Sequence, residues 1–469
     1  MLLSRDTRDV VVISVGFLFL FTAFNALQNL QSSLNSEGSL GATSLSIVYI
    51  SLVASCLFTP PALIHRLGCK RTMVLSMGCY LPYFAANFYP TWATMVPASI
   101  VLGAGAAPLW ASKCAYLTAR ARGRAATVGR YFSVFFALFQ SGQVWGNLVS
   151  SLVLAQAPDT DRTVNASLLL PYCGVGSCHG EAPGSGGGGD GDGEETGAIQ
   201  PSRVTVYIVL GVYSGCSVLG LVLVAAFVRP LEDEVARKAP GWCRLFLATM
   251  RQMKDHRQLL LIPLTMYSGL EQAFLASDFT KSMVTCALGL EWIGFVMICY
   301  GAVDSVFSFF MGRISQLVGQ PALFLLASLT NASLLITMYV WTPRTDQAAV
   351  LFAMAALWGA ADAVWQTQLN ALYAVLFATN KEAAFANYRL WESLGFAVAF
   401  AYSGAACFSV KMAVALAALA LGLGLYGGVV VATRRGKATG RGGARRAGSR
   451  CDGGGGVAVK KKKICGIFW

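Results

Sequence analysis

Charge is what this chain has least of: 13% of its 469 residues are Asp, Glu, Lys or Arg, against 55% apolar side chains and a mean hydropathy of +0.57. So little polar surface cannot coat a soluble particle of this size, and a water-soluble fold is excluded. Histidine is scarcer still, with three in all (His65, His179, His256) and none at metal-ligand spacing. There is no phosphate-cradling glycine loop and no nucleophile elbow. An enzyme is therefore not expected, nor a metal or a cofactor. Strict apolar–polar alternation is missing too, which argues against a barrel, because backbone polar groups in lipid must pair either within helices or around a closed sheet.

What the chain has instead is about twelve continuous apolar runs, each near the roughly 20 residues needed to cross a bilayer as a helix. They cover about 10–30, 41–62, 72–89, 93–115, 131–155, 204–228, 259–280, 291–311, 321–341, 347–368, 385–407 and 411–432. The expected fold is all-α, a polytopic membrane protein of twelve transmembrane helices. The first run follows a short n-region, Leu2 to Asp9, and has no small-x-small cleavage site, so it is expected to remain as a span.

Basic residues resist translocation and so orient the spans. Arg66, Lys70 and Arg71 follow the second span, Arg120, Arg122, Arg124 and Arg130 surround the fourth-to-fifth turn, and Arg229, Arg237, Lys238, Arg244, Arg251, Lys254 and Arg257 fill the central loop. Both termini are thereby expected in the cytosol. The loop 156–203 carries Asp159, Asp161, Glu181, Asp190, Asp192, Glu194 and Glu195 against Arg162 and Arg203, as an extracytoplasmic loop would. It holds a glycan acceptor, Asn165-Ala166-Ser167, and two cysteines, Cys173 and Cys178, that could close a short disulfide or remain free thiols. The other cysteines are expected to act as small apolar residues. Asn331-Ala332-Ser333 sits mid-span and should stay bare.

The formal charge of +13 does not point to nucleic acid, because residues 433–469 alone hold eleven Lys and Arg against Asp452. That Gly-rich segment is expected to be a disordered cytosolic tail, either drawn to anionic lipid or simply solvated. Cys465 beside Lys460 to Lys463 is a candidate for palmitoylation.

Landmarks recur between the two sides of the central loop 229–258. Gln28-Asn29 matches Glu271-Gln272, the turn His65 to Lys70 matches Ser315 to Gln320, Gly105-Ala106-Ala107 matches Gly359-Ala360-Ala361, and Tyr131 matches Tyr388, at offsets of 243, 251 (counted from Gly68 to Gly319), 254 and 257. This predicts an N-terminal six-helix bundle over 1–228 and a C-terminal one over 259–432. The parallel repeat is the major facilitator arrangement. The turn with Arg66, Gly68, Lys70 and Arg71 resembles that superfamily's hallmark loop, but His65 stands where an acidic residue is usual, which leans away from active transport.

Residues 10–35, 101–117 (VLGAGAAPLWASKCAYL), 357–373 (LWGAADAVWQTQLNALY) and 381–402 resemble the Unc-93 family, and the likeness covers essentially all twelve spans. It implies a multi-pass plasma-membrane protein known for partners more than for substrates. One member of that family is a regulatory subunit of a two-pore-domain potassium channel, and a sister branch escorts receptors. The expected function is accordingly a potassium-channel accessory subunit. The alternatives are a solute carrier of unknown substrate or a trafficking chaperone for membrane receptors. Expected partners are the lipid bilayer and a potassium channel or another membrane protein, with a small-molecule or ion substrate left open.

Charges inside the membrane are expensive, so Lys113, Glu271, Asp304, Asp362 and the Arg389/Glu392 pair each need a reason. Arg389 and Glu392, three apart, can meet on one helix face as a structural ion pair. Gln28, Asn29, Glu271 and Gln272, on the first and seventh spans, form the candidate central polar site, a cation or proton site or else helix-packing hydrogen bonds. The small residues around Asp362 favour close packing.

Overall fold

A computed structural model describes residues 4–121, 125–155, 173–178, 202–231, 250–377 and 381–448. Among these, every long element is a helix: α1 (Arg5–Leu34), α2 (Leu40–Gly78), α3 (Leu81–Ala86), α4 (Trp92–Arg120), α5 (Ala125–Ala155) and α6 (Arg203–Phe227) form the first group. The second group is α7 (His256–Leu288), α8 (Trp292–Val318), α9 (Gln320–Val340), α10 (Ala348–Leu376), α11 (Lys381–Ser403) and α12 (Phe408–Gly448). Nine helices among the described residues are long and apolar enough to cross a membrane. The other three expected crossings fall on α5, on α11 and on the helical stretch from Cys69 through α3.

The helix ends follow from local chemistry. Ser4 and Ser202 accept from the backbone N–H of Thr7 and Thr205, and Thr91 and Thr94 cap α4 reciprocally. α2 breaks at Gly68, where φ is 77° and ψ 164°, and α8 ends at Gly319, where φ is 86° and ψ 145°. Both conformations belong to glycine. The two positions are repeat mates at the offset of 251 read from the sequence, so the duplicated turn has the same backbone in each half.

Several helices outrun their apolar cores. α1 starts at Arg5 rather than near residue 10, and α7 continues to Leu288, through a π-helical stretch at Phe274–Thr285. α12 continues past the apolar run to Gly448, which corrects the expectation of disorder for the start of the tail. Residues 449–469, with Cys465, lie outside the described residues, as do Asn165, the Gly-rich stretch 184–193 and most of the central loop.

Within the first group α2 packs on α4, and within the second α8 packs on α10. The groups meet where α2 faces α11, where α5 faces α8, and where α1 lies along the π stretch of α7. At the α5–α8 contact a Cβ on Gly294 would collide with Asn147 and Ser151, so the approach requires glycine. Hydrogen bonds stitch this seam at the end away from the chain termini: Ser32 Oγ donates to Ser277 O (3.1 Å), Ser46 Oγ to Ala397 O (3.1 Å) and Ser151 Oγ to Glu291 O (2.9 Å).

At that same end, residues 173–178 of the loop after α5 lie against the second group. Cys173 is bonded to Cys286 and Cys178 to Cys407. This corrects the short Cys173–Cys178 bridge and the description of Cys286 and Cys407 as inert apolar residues. The intervening residues form a 3₁₀ turn, Gly174–Gly176, that carries the two thiols to different helices, one to the end of α7 and one to the start of α12. Ser177 O also accepts from Phe408 N (3.0 Å).

Candidate functional site

Gln28, Asn29, Glu271 and Gln272 do not bond to one another; they belong to separate networks. Gln28 Oε1 accepts from Tyr49 Oη (2.7 Å). Asn29 Nδ2 donates to Gln143 Oε1 (3.2 Å) and Asn147 Oδ1 (3.1 Å), an amide cluster that joins α1 to α5. Glu271 is fully buried and accepts from the Trp358 indole, while its Oε1 has no donor. Gln272 turns back to Ser268 O of its own helix (2.9 Å).

Around Glu271 the structure gathers carboxyls that the sequence scattered over three helices. Asp362 belongs to α10. It accepts from Tyr300 Oη (2.5 Å) and Gln366 Nε2 (3.4 Å). Asp304 on α8 accepts from Ser308 Oγ (3.0 Å) and, across the seam, from the Gln140 amide of α5. All three carboxyls are buried, and no Lys or Arg among the described residues bonds to any of them. The close packing expected near Asp362 is present, since a Cβ on Gly359 would strike the Tyr300 carbonyl. The described residues hold no group of His, Cys, Asp and Glu able to bind a metal.

Arg389 and Glu392 do meet, Nη1 to Oε2 at 2.6 Å, and Tyr388 Oη occupies the other Glu392 oxygen (2.9 Å). The Arg389 guanidinium carbon sits over Trp110 of α4, 4.5 Å from the ring centroid. Lys113, three residues along α4, is ringed by Trp110, Phe132, Phe135 and Phe136 at 4.1–5.4 Å, and its ammonium makes no hydrogen bond. Asn331 is buried and donates to Tyr267 Oη (2.8 Å), out of reach of a glycan. In the hallmark-like turn His65, Arg66 and Arg71 are exposed and Lys70 half-buried.

Two ionic clusters escaped the sequence reading. Asp278 in the π stretch accepts from Lys411 Nζ of α12 (2.8 Å) and Ser403 Oγ of α11 (2.6 Å), with both charges buried. Asp9 near the start of α1 is fully buried and receives Arg229 (2.9 Å) and Arg120 (3.1 Å). Each acid sits where an apolar run begins or ends, so it passed for a boundary residue. A lone acid inside the Asp9-Val10-Val11-Val12 run was the available signal.

The family profile described as "Ion channel regulatory protein UNC-93" matches residues 35–424. "Protein unc-93 homolog A" of Xenopus laevis is 46% identical over 439 residues, covering 90% of this chain and 93% of that protein. The "Putative potassium channel regulatory protein unc-93" of Caenorhabditis elegans is 35% identical over 402 residues, covering 83% of this chain and 56% of that longer protein. The nucleoside transporter NupG shares the fold, with a TM-score of 0.57 at 11% identity over 90% of this chain and 98% of its own. A profile spanning most of the helices, and identity of this level along nine-tenths of the chain, place the protein in the UNC-93 family of multi-pass, non-enzymatic membrane proteins.

Proposed function

We propose that this protein is an accessory subunit that sits beside a potassium channel in the plasma membrane and tunes its current or its surface number. The observation that carries this reading is the likeness, along most of the helices, to a nematode relative named as a potassium channel regulator. The half-buried and exposed basic residues Arg66, Lys70 and Arg71 lie at the end that bears the termini, which supports a cytosolic placement of both. The disulfides lie at the other end, as they would facing an oxidising compartment. Co-expression with two-pore-domain potassium channels should change whole-cell current, and the two proteins should co-purify. Neither effect with any channel of that class would overturn the proposal.

A second reading, a proton- or cation-coupled carrier, is favoured by the buried carboxyls Glu271, Asp304 and Asp362, which lack a basic partner in a major-facilitator fold. Reconstituted protein would then move a solute, and Glu271→Gln would abolish the movement. Transport unaltered by that substitution would remove Glu271 from the site.

A further inference from the structure

Lys113 and Arg389 come from opposite groups of helices and converge at the seam. Arg389 bonds one carboxylate, Glu392, whose two oxygens are already taken by Arg389 and Tyr388, and among the described residues no carboxylate bonds Lys113. Two cations against one anion leave a formal excess of one positive charge in a low-dielectric interior. The donors are under-used as well. Among the described residues, one of the five N–H groups on Arg389 is engaged, by Glu392, and none of the three on Lys113 is. The four aromatic rings around Lys113 offer their faces to the ammonium, which softens its burial without cancelling the charge.

The place is also open on one side. The Arg389 side chain keeps 24% of its surface exposed, and Trp110 beneath it, like Phe132 and Phe136 around Lys113, is half-buried rather than sealed. Arg389 therefore keeps part of its surface uncovered beside the Trp110 ring. A planar carboxylate matches a guanidinium edge geometrically, and ring faces suit an apolar body better than a hydrated inorganic ion.

We infer that Lys113, Arg389 and the surrounding aromatic rings form a binding site for a small organic anion, a carboxylate on an apolar body, seated across the seam between α4 and α11. The site is distinct from the carboxyl cluster around Glu271 and stands apart from any role beside a channel. Because one part of it comes from each group of helices, an occupant would hold the two together at this depth.

The test uses the full chain in nanodiscs, with benzoate as probe and benzamide as its uncharged counterpart, read by tryptophan fluorescence and by thermal unfolding. Benzoate should quench saturably and raise the unfolding temperature, benzamide should do neither, and Arg389→Gln should weaken benzoate binding roughly tenfold or more. Lys113→Met should weaken it similarly; should that variant not fold, the benzoate–benzamide difference in the unaltered chain and the Arg389→Gln result decide. Equal responses to benzoate and benzamide, unchanged binding in Arg389→Gln, or inorganic phosphate matching benzoate would overturn the assignment. Channel current plays no part in these readouts, so their failure is separate from failure of the accessory-subunit proposal.

Discussion

The two groups of six helices share a backbone plan and differ in chemistry. Gly68 and Gly319 turn the chain in the same way, and α2 on α4 is mirrored by α8 on α10. Yet the interior of the first group is tied by amides, Asn29 with Gln143 and Asn147 and Gln31 with Tyr83 and Asn87, whereas the second buries Glu271, Asp278, Asp304 and Asp362. The repeat mates Gln28 and Glu271 state the contrast in one position. Amides satisfy neighbours without carrying charge, and a carboxyl in the same place brings the cost of desolvation and the capacity to hold a proton or a cation. The two groups thus share a turn geometry, while the first buries Asp9 and Lys113 and the second a larger set of carboxyls.

The contrast can be broken most severely at Asp278. Asp278→Ala strands the buried Lys411 and should lower stability by about 3–5 kcal/mol, while Asp278→Asn combined with Lys411→Met should lose much less. Thermal unfolding in detergent separates the two outcomes, and equal losses would mean that the pair is not the reason. Next, Trp358→Phe removes the indole donor from Glu271 and should cost about 1–3 kcal/mol, a penalty that Glu271→Gln, which converts the position to the type of its repeat mate, should largely relieve. If the two substitutions add independently in the double variant, the indole–carboxyl contact is not coupled as described.

The shared geometry makes a symmetric prediction. Gly68→Ala and Gly319→Ala should each cost roughly 1–3 kcal/mol, because both force a side chain into a glycine conformation; a large difference between them would show that the two turns are not equivalent in the folded protein. The smallest effect is expected at the start of α7. There the Arg257 guanidinium, which bonds Asp255 at 2.9 Å, holds that carboxyl below the usual range. The pair's contribution is present above the ordinary carboxylate pKa and is lost as pH falls through the lowered one. It is partly exposed and should amount to less than about 1 kcal/mol, visible as a flattened acid limb of the stability profile in Asp255→Asn.

The crossings were legible in the sequence because each is a long apolar run, and the duplication because its polar landmarks keep their order. Gly68 was legible for the same reason, as a glycine among basic residues between two runs. The disulfides were not. Cys173 and Cys178 are neighbours in the chain, but their partners Cys286 and Cys407 sit at helix ends more than a hundred residues away, and proximity in sequence pointed to the wrong pairing. The central site failed in a similar way: repeat symmetry picked out Glu271 correctly as a buried polar position, but its neighbours Asp362 and Asp304 come from α10 and α8, a convergence that no spacing within one helix reveals. Lys113 was visible only as a misplaced charge, since its cage is built by residues of α5.

The orientation of the duplicated bundle is tested most directly by two epitopes, one inserted beside Asn165 and one at the carboxyl terminus, probed on intact and on permeabilised cells. The Asn165 epitope should be stained on intact cells and the terminal one only after permeabilisation. The reverse pattern would contradict the account.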